Sequence, residues 1–252
     1  MTNLVVAVTN KLLVTAAYKY VALAVMLTNC NLFVQQTHLP LDHQLTQTNI
    51  VLSRCSVAPP RLMGFGGSIV TRKYFFGFGH DHLANFWQWE FRPASSSEGI
   101  KEQHERWSKV TSQIGTNEVR QLALNWLTDL GIDTATLEKK YPCKITQKTF
   151  YPNTQNSEGS LEQAKRVTLP VFQIQWGSTP LRGRPQYSLP AATMTVFGPT
   201  EELIEYHLFD DALMLRPKLA VKDPEELLTI TNEAFYNLDE VQRSNLVKQF
   251  AP

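Results

Sequence analysis

The residues with the greatest chemical potential form a short run of two histidines around an aspartate. His80 and His82 lie at positions i and i+2 of a predicted turn, so both imidazoles can face one metal ion. Asp81 would serve as a further ligand or would orient one of the histidines. Such a cluster is typical of a metal-dependent hydrolase, which would need a third ligand such as His104 or His207. A polar turn that binds no metal is the simpler interpretation.

Two pairs of adjacent carboxylates lie near the ends of predicted strands. Glu201 with Glu202 and Asp210 with Asp211 would form an acid and a base if their environments separated their pKa values. Solvated turn residues are the more common role of such pairs. The chain also lacks a nucleophile elbow and a phosphate-binding loop. We therefore expect no catalytic residues, no cofactor and no resident metal, and we favour a protein that is not an enzyme.

A strongly aromatic run spans residues 86–91. Phe86, Trp87, Trp89 and Phe91 alternate in part with polar residues, as in a strand. Exposed tryptophan rings on one face would suit a carbohydrate or a peptide, because Trp and Tyr are enriched at interfaces. The favoured interpretation is that Trp87 and Trp89 share one buried strand face while Phe86 and Phe91 occupy the other.

The composition indicates a globular protein with a substantial core. Of 252 residues, 43% are hydrophobic, while 24 basic and 23 acidic side chains leave a net charge of +1. This balance provides no overall attraction for nucleic acid, which we do not expect as a partner. The local basic stretches around Arg72 and Arg182 are interpreted as solvated loops.

The N-terminal residues 1–36 resemble an export signal or a membrane anchor. They contain no acidic residue, and Lys19 precedes an apolar run over residues 21–27. Residues 27–30 (LTNC) resemble the bacterial lipoprotein box, in which the cysteine, here Cys30, carries lipid. The alternative is a buried helix within residues 1–40. We expect an extracytoplasmic protein that is secreted, periplasmic or anchored to a membrane through this segment.

The three cysteines do not form a disulfide framework. If Cys30 is removed or lipidated, Cys55 and Cys143 remain as one pair that an oxidising compartment would allow. The alternative is that both are unpaired thiols.

The pattern of elements predicts an α+β fold in which helices pack on one face of antiparallel sheets. Residues 37–63 read as a linker, and residues 64–115 as a strand pair, joined by a hairpin at 79–84, with a helix. An amphipathic helix then begins at Thr116 and ends at Gly131, and Asp133 caps a shorter helix. The rest of the unit 116–252 alternates as half-buried strands, at 144–151, 167–176, 192–197 and 203–209, and ends in helices at 223–230 and 238–250.

This order of a helix and antiparallel strands resembles the PepSY and cystatin-like modules. The likeness lies in residues 119–133 (VRQLALNWLTDLGID), 171–176 (VFQIQW) and 192–209 (ATMTVFGPTEELIEYHLF). Those modules commonly have an aspartate before a glycine turn, where this chain has Phe197 before Gly198. The resemblance implies a secreted or envelope module that binds proteins or modulates a peptidase. The strands at 68–91 with the helix at 100–114 would form a second, degenerate module.

The sequence as a whole favours an exported, non-enzymatic module that binds a protein or peptide. Its partner would dock on exposed apolar area or on a free sheet edge. The alternatives are a metal-dependent hydrolase using His80 and His82, and a structural envelope protein without a small-molecule site. The sequence leaves the oligomeric state open.

Overall fold

The structure, a computed structural model, describes residues 23, 26–40, 44–57, 65–79, 82–92, 96–150, 166–177, 190–215 and 241. The helices in this part of the chain are α1 (26–36), α2 (Ser97–Ser108), α3 (Thr116–Asp129) and α4 (Thr134–Lys140). The strands are β1 (Leu52–Val57), β2 (Phe65–Val70), β3 (Tyr74–Gly79), β4 (His82–Gln88), β5 (Cys143–Phe150), β6 (Val167–Gly177), β7 (Pro190–Phe197) and β8 (Glu202–Leu208).

The described strands form one antiparallel sheet in the order β1-β2-β3-β4-β8-β7-β6-β5. Each half is a meander of four strands, and the two halves meet where β4 pairs with β8. We call this junction the seam. The sheet confirms the predicted α+β class. It also joins the predicted units 64–115 and 116–252, which therefore share one sheet rather than forming separate modules.

The two faces of the sheet are covered differently. Alternation along β6 directs Phe172, Ile174 and Trp176 to one face, and Leu169 and Val171 to the other. The first face, here called the helical face, carries the main core beneath α1, α3 and α4. Helices lie on both faces of the sheet, whereas helices on one face were predicted. Helix α2 packs on the opposite face, at the end of the sheet that carries the second apolar cluster.

We call this opposite face, beyond the area under α2, the open face. Helix α2 contacts the sheet through Trp107, which packs with a group of buried apolar side chains: Phe150, Leu169, Val171, Phe197 and Ile204. Beyond that group, polar side chains continue along β5 to β8 on the open face, and aromatic side chains lie on β3 and β4.

The predicted α3 and α4 form as local signals require. Glu118 closes the first turn of α3 by accepting a hydrogen bond from the Gly115 amide. Gly131 follows the helix at φ 80°, the left-handed conformation that glycine adopts without strain. Asp133 caps α4 by accepting from the Thr136 amide at 2.9 Å. The buried side chains of α3 are Val119, Ala123, Trp126 and Leu127, so its apolar face meets the sheet as predicted.

Helix α1 is an integral part of the core. The Phe33 ring lies 4.9 Å from that of Phe86 and 5.7 Å from that of Tyr206, measured between centroids. Cys30 is fully buried, and burial raises the pKa of its thiol, so a lipid on its sulfur would require α1 to leave the core. Residues 26–36 thus pack in the core of the folded domain, as the alternative of a buried helix requires.

Export remains a prediction, and a leader peptide that is cleaved off would have to end before residue 26 for the core to stay intact. Within the ranges given above, no helix combines the length and the apolarity needed to cross a bilayer.

Of the two alternatives that the sequence leaves open for Cys55 and Cys143, the strand order does not favour a disulfide. Cys55 lies on β1 and Cys143 on β5, at opposite edges of the sheet. Seven strand spacings separate these edges, on the order of 30 Å, whereas disulfide-bonded Cα atoms lie within about 7 Å of each other. Cys143 is a free, half-buried thiol.

Two further boundaries differ from prediction. The linker predicted over residues 37–63 contains a turn at Gln47–Asn49 and the strand β1. The strand predicted before the hairpin at 79–84 is divided into β2 and β3, because the Thr71 hydroxyl accepts a hydrogen bond from the Tyr74 amide and reverses the chain without glycine or proline. The predicted C-terminal helices lie outside the described residues, apart from Val241.

Candidate binding face

Two rows of side chains cross the open face from the seam to β5. Strand pairing aligns the first row as Asn85, His207, Thr193, Gln175 and Lys144. It aligns the second as Trp87, Glu205, Thr195, Gln173 and Thr146. The rows bring together residues more than a hundred positions apart in the chain. Sequence reasoning missed this arrangement, because it depends on the register between β4 and β8.

A chain of hydrogen bonds fastens the two halves of the sheet at the seam. His207 contacts Asn85 Oδ1 through Nδ1 at 2.7 Å and Glu205 Oε1 through Nε2 at 3.0 Å. Thr195 donates to the other carboxylate oxygen of Glu205 at 3.2 Å. Both ring nitrogens of His207 are thus engaged within the protein. The imidazole thereby links β8 to β4.

The charge state of Glu205 depends on this network. The hydrogen bond from His207 is the main cause that holds the pKa of Glu205 below its ordinary value, and burial opposes it. A carboxyl with a lowered folded-state pKa stabilises the fold above its unfolded pKa. That contribution is lost as the pH falls through the folded-state pKa.

We expect His207→Ala to raise the pKa of Glu205 toward the ordinary value of a glutamate, because the main group that favours the carboxylate is removed. Carboxyl ¹³C chemical shifts followed against pH would report the midpoint. Thr195→Val is the matched control, because it removes the weakest cause and should move the midpoint less. An unchanged midpoint in His207→Ala would show that the network does not control Glu205.

Beside the seam, Phe75, Trp87, Trp89 and Arg92 form what we call the aromatic cluster. Phe75 and Trp87 stack with centroids 3.6 Å apart and an interplanar angle of 5°. The guanidinium carbon of Arg92 lies 4.0 Å from the centroid of Trp87. Trp89 meets both rings edge-on and is 37% exposed. The cluster therefore presents a rigid aromatic and cationic surface to solvent.

Gly77 makes room for this arrangement. A Cβ at this position would lie 2.9 Å from the Phe75 ring and 3.2 Å from Cβ of Asn85. A glycine on β3 thus lets the Phe75 ring lie flat beside β4, where it stacks on Trp87.

The predicted pattern of the aromatic run is partly corrected. Phe86 is buried on the helical face, and Trp87 and Trp89 are packed together on the open face as predicted. The face that the two tryptophans share is not buried as predicted, since Trp87 is half-buried and Trp89 is exposed. Trp89 and Phe91 belong to the turn Trp89–Phe91 rather than to a strand, and the Phe91 ring packs near Phe197 in the cluster under α2.

Cations lie at both ends of the open face, and the partly exposed carboxylate of Glu205 lies between them. Lys144 and Lys148 are exposed on β5, and Arg92 lies in the aromatic cluster. In the part of the chain that the structure describes, no carboxylate lies within ion-pair distance of these three cations. The carboxylate of Glu205 is already bound by His207 and Thr195. An approaching ligand therefore meets positive charge that the protein leaves unpaired in this region.

The predicted metal cluster gains no support from the described residues. His82 is buried at the start of β4, with its Nε2 3.2 Å from Asp211 Oδ1. The proposed third ligands lie elsewhere: His104 packs beside Phe150, and His207 lies at the seam. No group of three or more His, Cys, Asp or Glu side chains in these ranges could hold a metal ion. His80 and Asp81 lie outside the described residues, so the hydrolase hypothesis stays a prediction.

Asp210 and Asp211, which follow β8, contact residues of other elements. Asp210 accepts hydrogen bonds from the Tyr141 hydroxyl and from Lys140, and the bond from Tyr141 is the main cause that lowers its pKa. Asp211 pairs with His82. These contacts link α4 and β4 to the segment after β8.

The predicted glutamate pair lies in the hairpin between β7 and β8. Glu201 is exposed and has a φ of 55°, as expected in a tight turn. Burial raises the pKa of Glu202, and the charge of Glu90 adds to this effect. The two carboxylates thus have different surroundings, with Glu201 in the solvent-exposed turn.

Comparison of the chain with models of protein families, with curated proteins and with solved structures finds no match. The resemblance of residues 116–210 to PepSY and cystatin-like modules therefore stays a prediction.

The succession of helix and four antiparallel strands occurs twice, once as α1 with β1 to β4 and once as α3 and α4 with β5 to β8. In the first half the helix on the sheet precedes the strands, whereas the degenerate module was predicted to end in its helix.

Proposed function

We propose that this protein is a non-enzymatic module that binds a protein or peptide through the open face of its sheet. The observation that carries the proposal is the aromatic cluster, in which exposed Trp89 and Arg92 lie against Trp87. Trp and Arg supply a disproportionate share of the energy of protein interfaces. The stacking with Phe75 holds these side chains in place before a partner arrives, which lowers the entropy cost of binding.

The open face is a better candidate than the sheet edge formed by β5. Exposed Lys144 and Lys148 lie on that strand. Lysines on an edge strand oppose pairing with a further strand, because the added strand would have to accommodate their charge. The face, in contrast, offers hydrogen-bonding side chains in two rows with aromatic rings at one end.

We expect Trp89→Ala and Arg92→Ala each to weaken binding of the partner about tenfold, because truncation of such anchors typically costs 1–2 kcal/mol or more. A photo-crosslinking amino acid at the exposed position 146 of the second row, expressed in the native host, would identify the partner. Titration calorimetry with the purified partner would then give the affinities.

Leu32→Ala is the matched control. Leu32 is 38% exposed, close to the 37% of Trp89, but it lies on α1 over the helical face. Its replacement should leave the affinity unchanged. Equal loss in Leu32→Ala, or full affinity in both variants of the aromatic cluster, would reject the open face as the binding surface.

A further inference from the structure

We infer that the segment bound on the open face is an acidic peptide, with an aromatic or apolar residue at one end and carboxylates at the other. This inference rests on the proposed function and names the chemistry of its partner. It follows from the positions of the exposed cations relative to the aromatic cluster.

The exposed lysines of β5 favour a ligand with negative charge. Lys144 and Lys148 project from exposed positions of β5, and within the described ranges neither is paired with a carboxylate. Lys148 lies two residues before Phe150 on β5, and Phe150 belongs to the apolar cluster on this side of the sheet, so alternation directs Lys148 to the same side. The only acidic side chain in the two rows is Glu205, which accepts hydrogen bonds from His207 and Thr195 and lies on β8, so the carboxylates of the peptide are placed at the β5 end, beside the lysines. A cationic segment would meet repulsion here, and an acidic one attraction.

The spacing sets the length of the segment. Four strand intervals separate β4, which carries Trp87, from β5, which carries both lysines. At about 4.8 Å for each interval, the two parts lie roughly 19 Å apart. An extended peptide advances about 3.3 Å per residue, so roughly six residues connect them. The peptide would cross the strands, with its backbone over the Thr and Gln side chains of β7 and β6.

A peptide fits better than a nucleic acid. A nucleic acid carries one phosphate per nucleotide and is held by cations along its whole path. Here the cations lie at the two ends of the path, and its middle holds neutral Thr193, Gln173 and Gln175 beside the carboxylate of Glu205, which would repel a phosphate. The net charge of the chain is only +1.

The test uses the full chain and an acetylated, fluorescein-labelled peptide of eight residues. The probe has phenylalanine at its first position, glutamate at its seventh and eighth, and serine or glycine between them. An otherwise identical peptide carries glutamine in place of both glutamates. Fluorescence anisotropy at low salt should show that the acidic probe binds about tenfold more tightly, since two exposed ion pairs are gained.

The charge reversal Lys144→Glu with Lys148→Glu should remove this preference and weaken binding of the acidic probe by at least tenfold. Lys139→Glu with Lys109→Glu is the control, because both lysines are exposed and neither lies on a strand of the sheet. This control has the same net charge as the reversal variant and should bind like the original protein. Circular dichroism would confirm that both variants are folded.

Three results would overturn the inference: equal affinity for the two peptides, unchanged binding in the Lys144 and Lys148 variant, or tighter binding of an eight-nucleotide oligothymidylate. Each of these would leave the proposed function standing if Trp89→Ala still weakened binding of the crosslinked partner. Failure of the crosslinking and of Trp89→Ala would instead reject the open face itself.

Discussion

Replacing Phe33 by alanine is expected to lower the free energy of unfolding by about 3–5 kcal/mol, the usual cost of removing a buried aromatic ring. Phe33 is 1% exposed and lies at the centre of the contact between α1 and the sheet. Its ring meets Phe86 and Tyr206, which pair with each other across the seam, and also meets Phe76 on β3. The substitution would thus leave a cavity where both halves of the sheet meet α1.

Urea unfolding followed by circular dichroism would measure this loss. Leu32→Ala, at an exposed position of the same helix, should change the stability by about 0.5 kcal/mol or less. If Phe33→Ala lowered the free energy of unfolding no more than Leu32→Ala does, α1 would not belong to the core. The interpretation of residues 1–36 as a separable segment would then be restored.

Replacing Gly198 by alanine is expected to cost about 1–3 kcal/mol through overpacking. A Cβ at this position would clash with the Ser112 hydroxyl and would lie 2.9 Å from the Phe172 ring. Ser112 cannot rotate away without loss, because its hydroxyl donates to the Ile114 carbonyl at 2.7 Å. The backbone around the glycine is also fixed, since its amide donates to the Pro170 carbonyl at 2.8 Å.

A double variant separates this clash from other effects. Ser112→Gly removes the nearest atoms, so Gly198→Ala should cost less in that background than in the original protein. Thermal unfolding of the four proteins in this cycle would give the coupling. Simple additivity would mean that the close approach between Ser112 and Gly198 does not limit the side chain at position 198.

The elements predicted best are those with local signals. In α3 the apolar spacing, the acid in the first turn and Gly131 all lie within one short stretch, and the structure follows them. Alternation likewise revealed β6, β7 and β8, because one of their faces meets the core. The turn between β2 and β3 was missed, because a threonine hydroxyl rather than a glycine or proline reverses the chain there.

The features predicted least well depend on long-range contacts. An apolar stretch such as 21–34 has the same composition in a signal segment and in a core helix, and only long-range contacts, such as those of Phe33 with Phe86 and Tyr206, distinguish the two. The candidate binding face also depends on long-range contacts. Asn85 and His207 carry no shared motif, and only the pairing of β4 with β8 brings them together.

The claim that the open face binds the partner is tested most directly by mapping chemical shifts of the ¹⁵N-labelled full chain as the partner segment is added. We predict the largest changes at the indole resonances of Trp87 and Trp89 and at backbone amides of β7 and β8. Changes confined to α3 and α4, or to the outer edge of β1, would contradict the account.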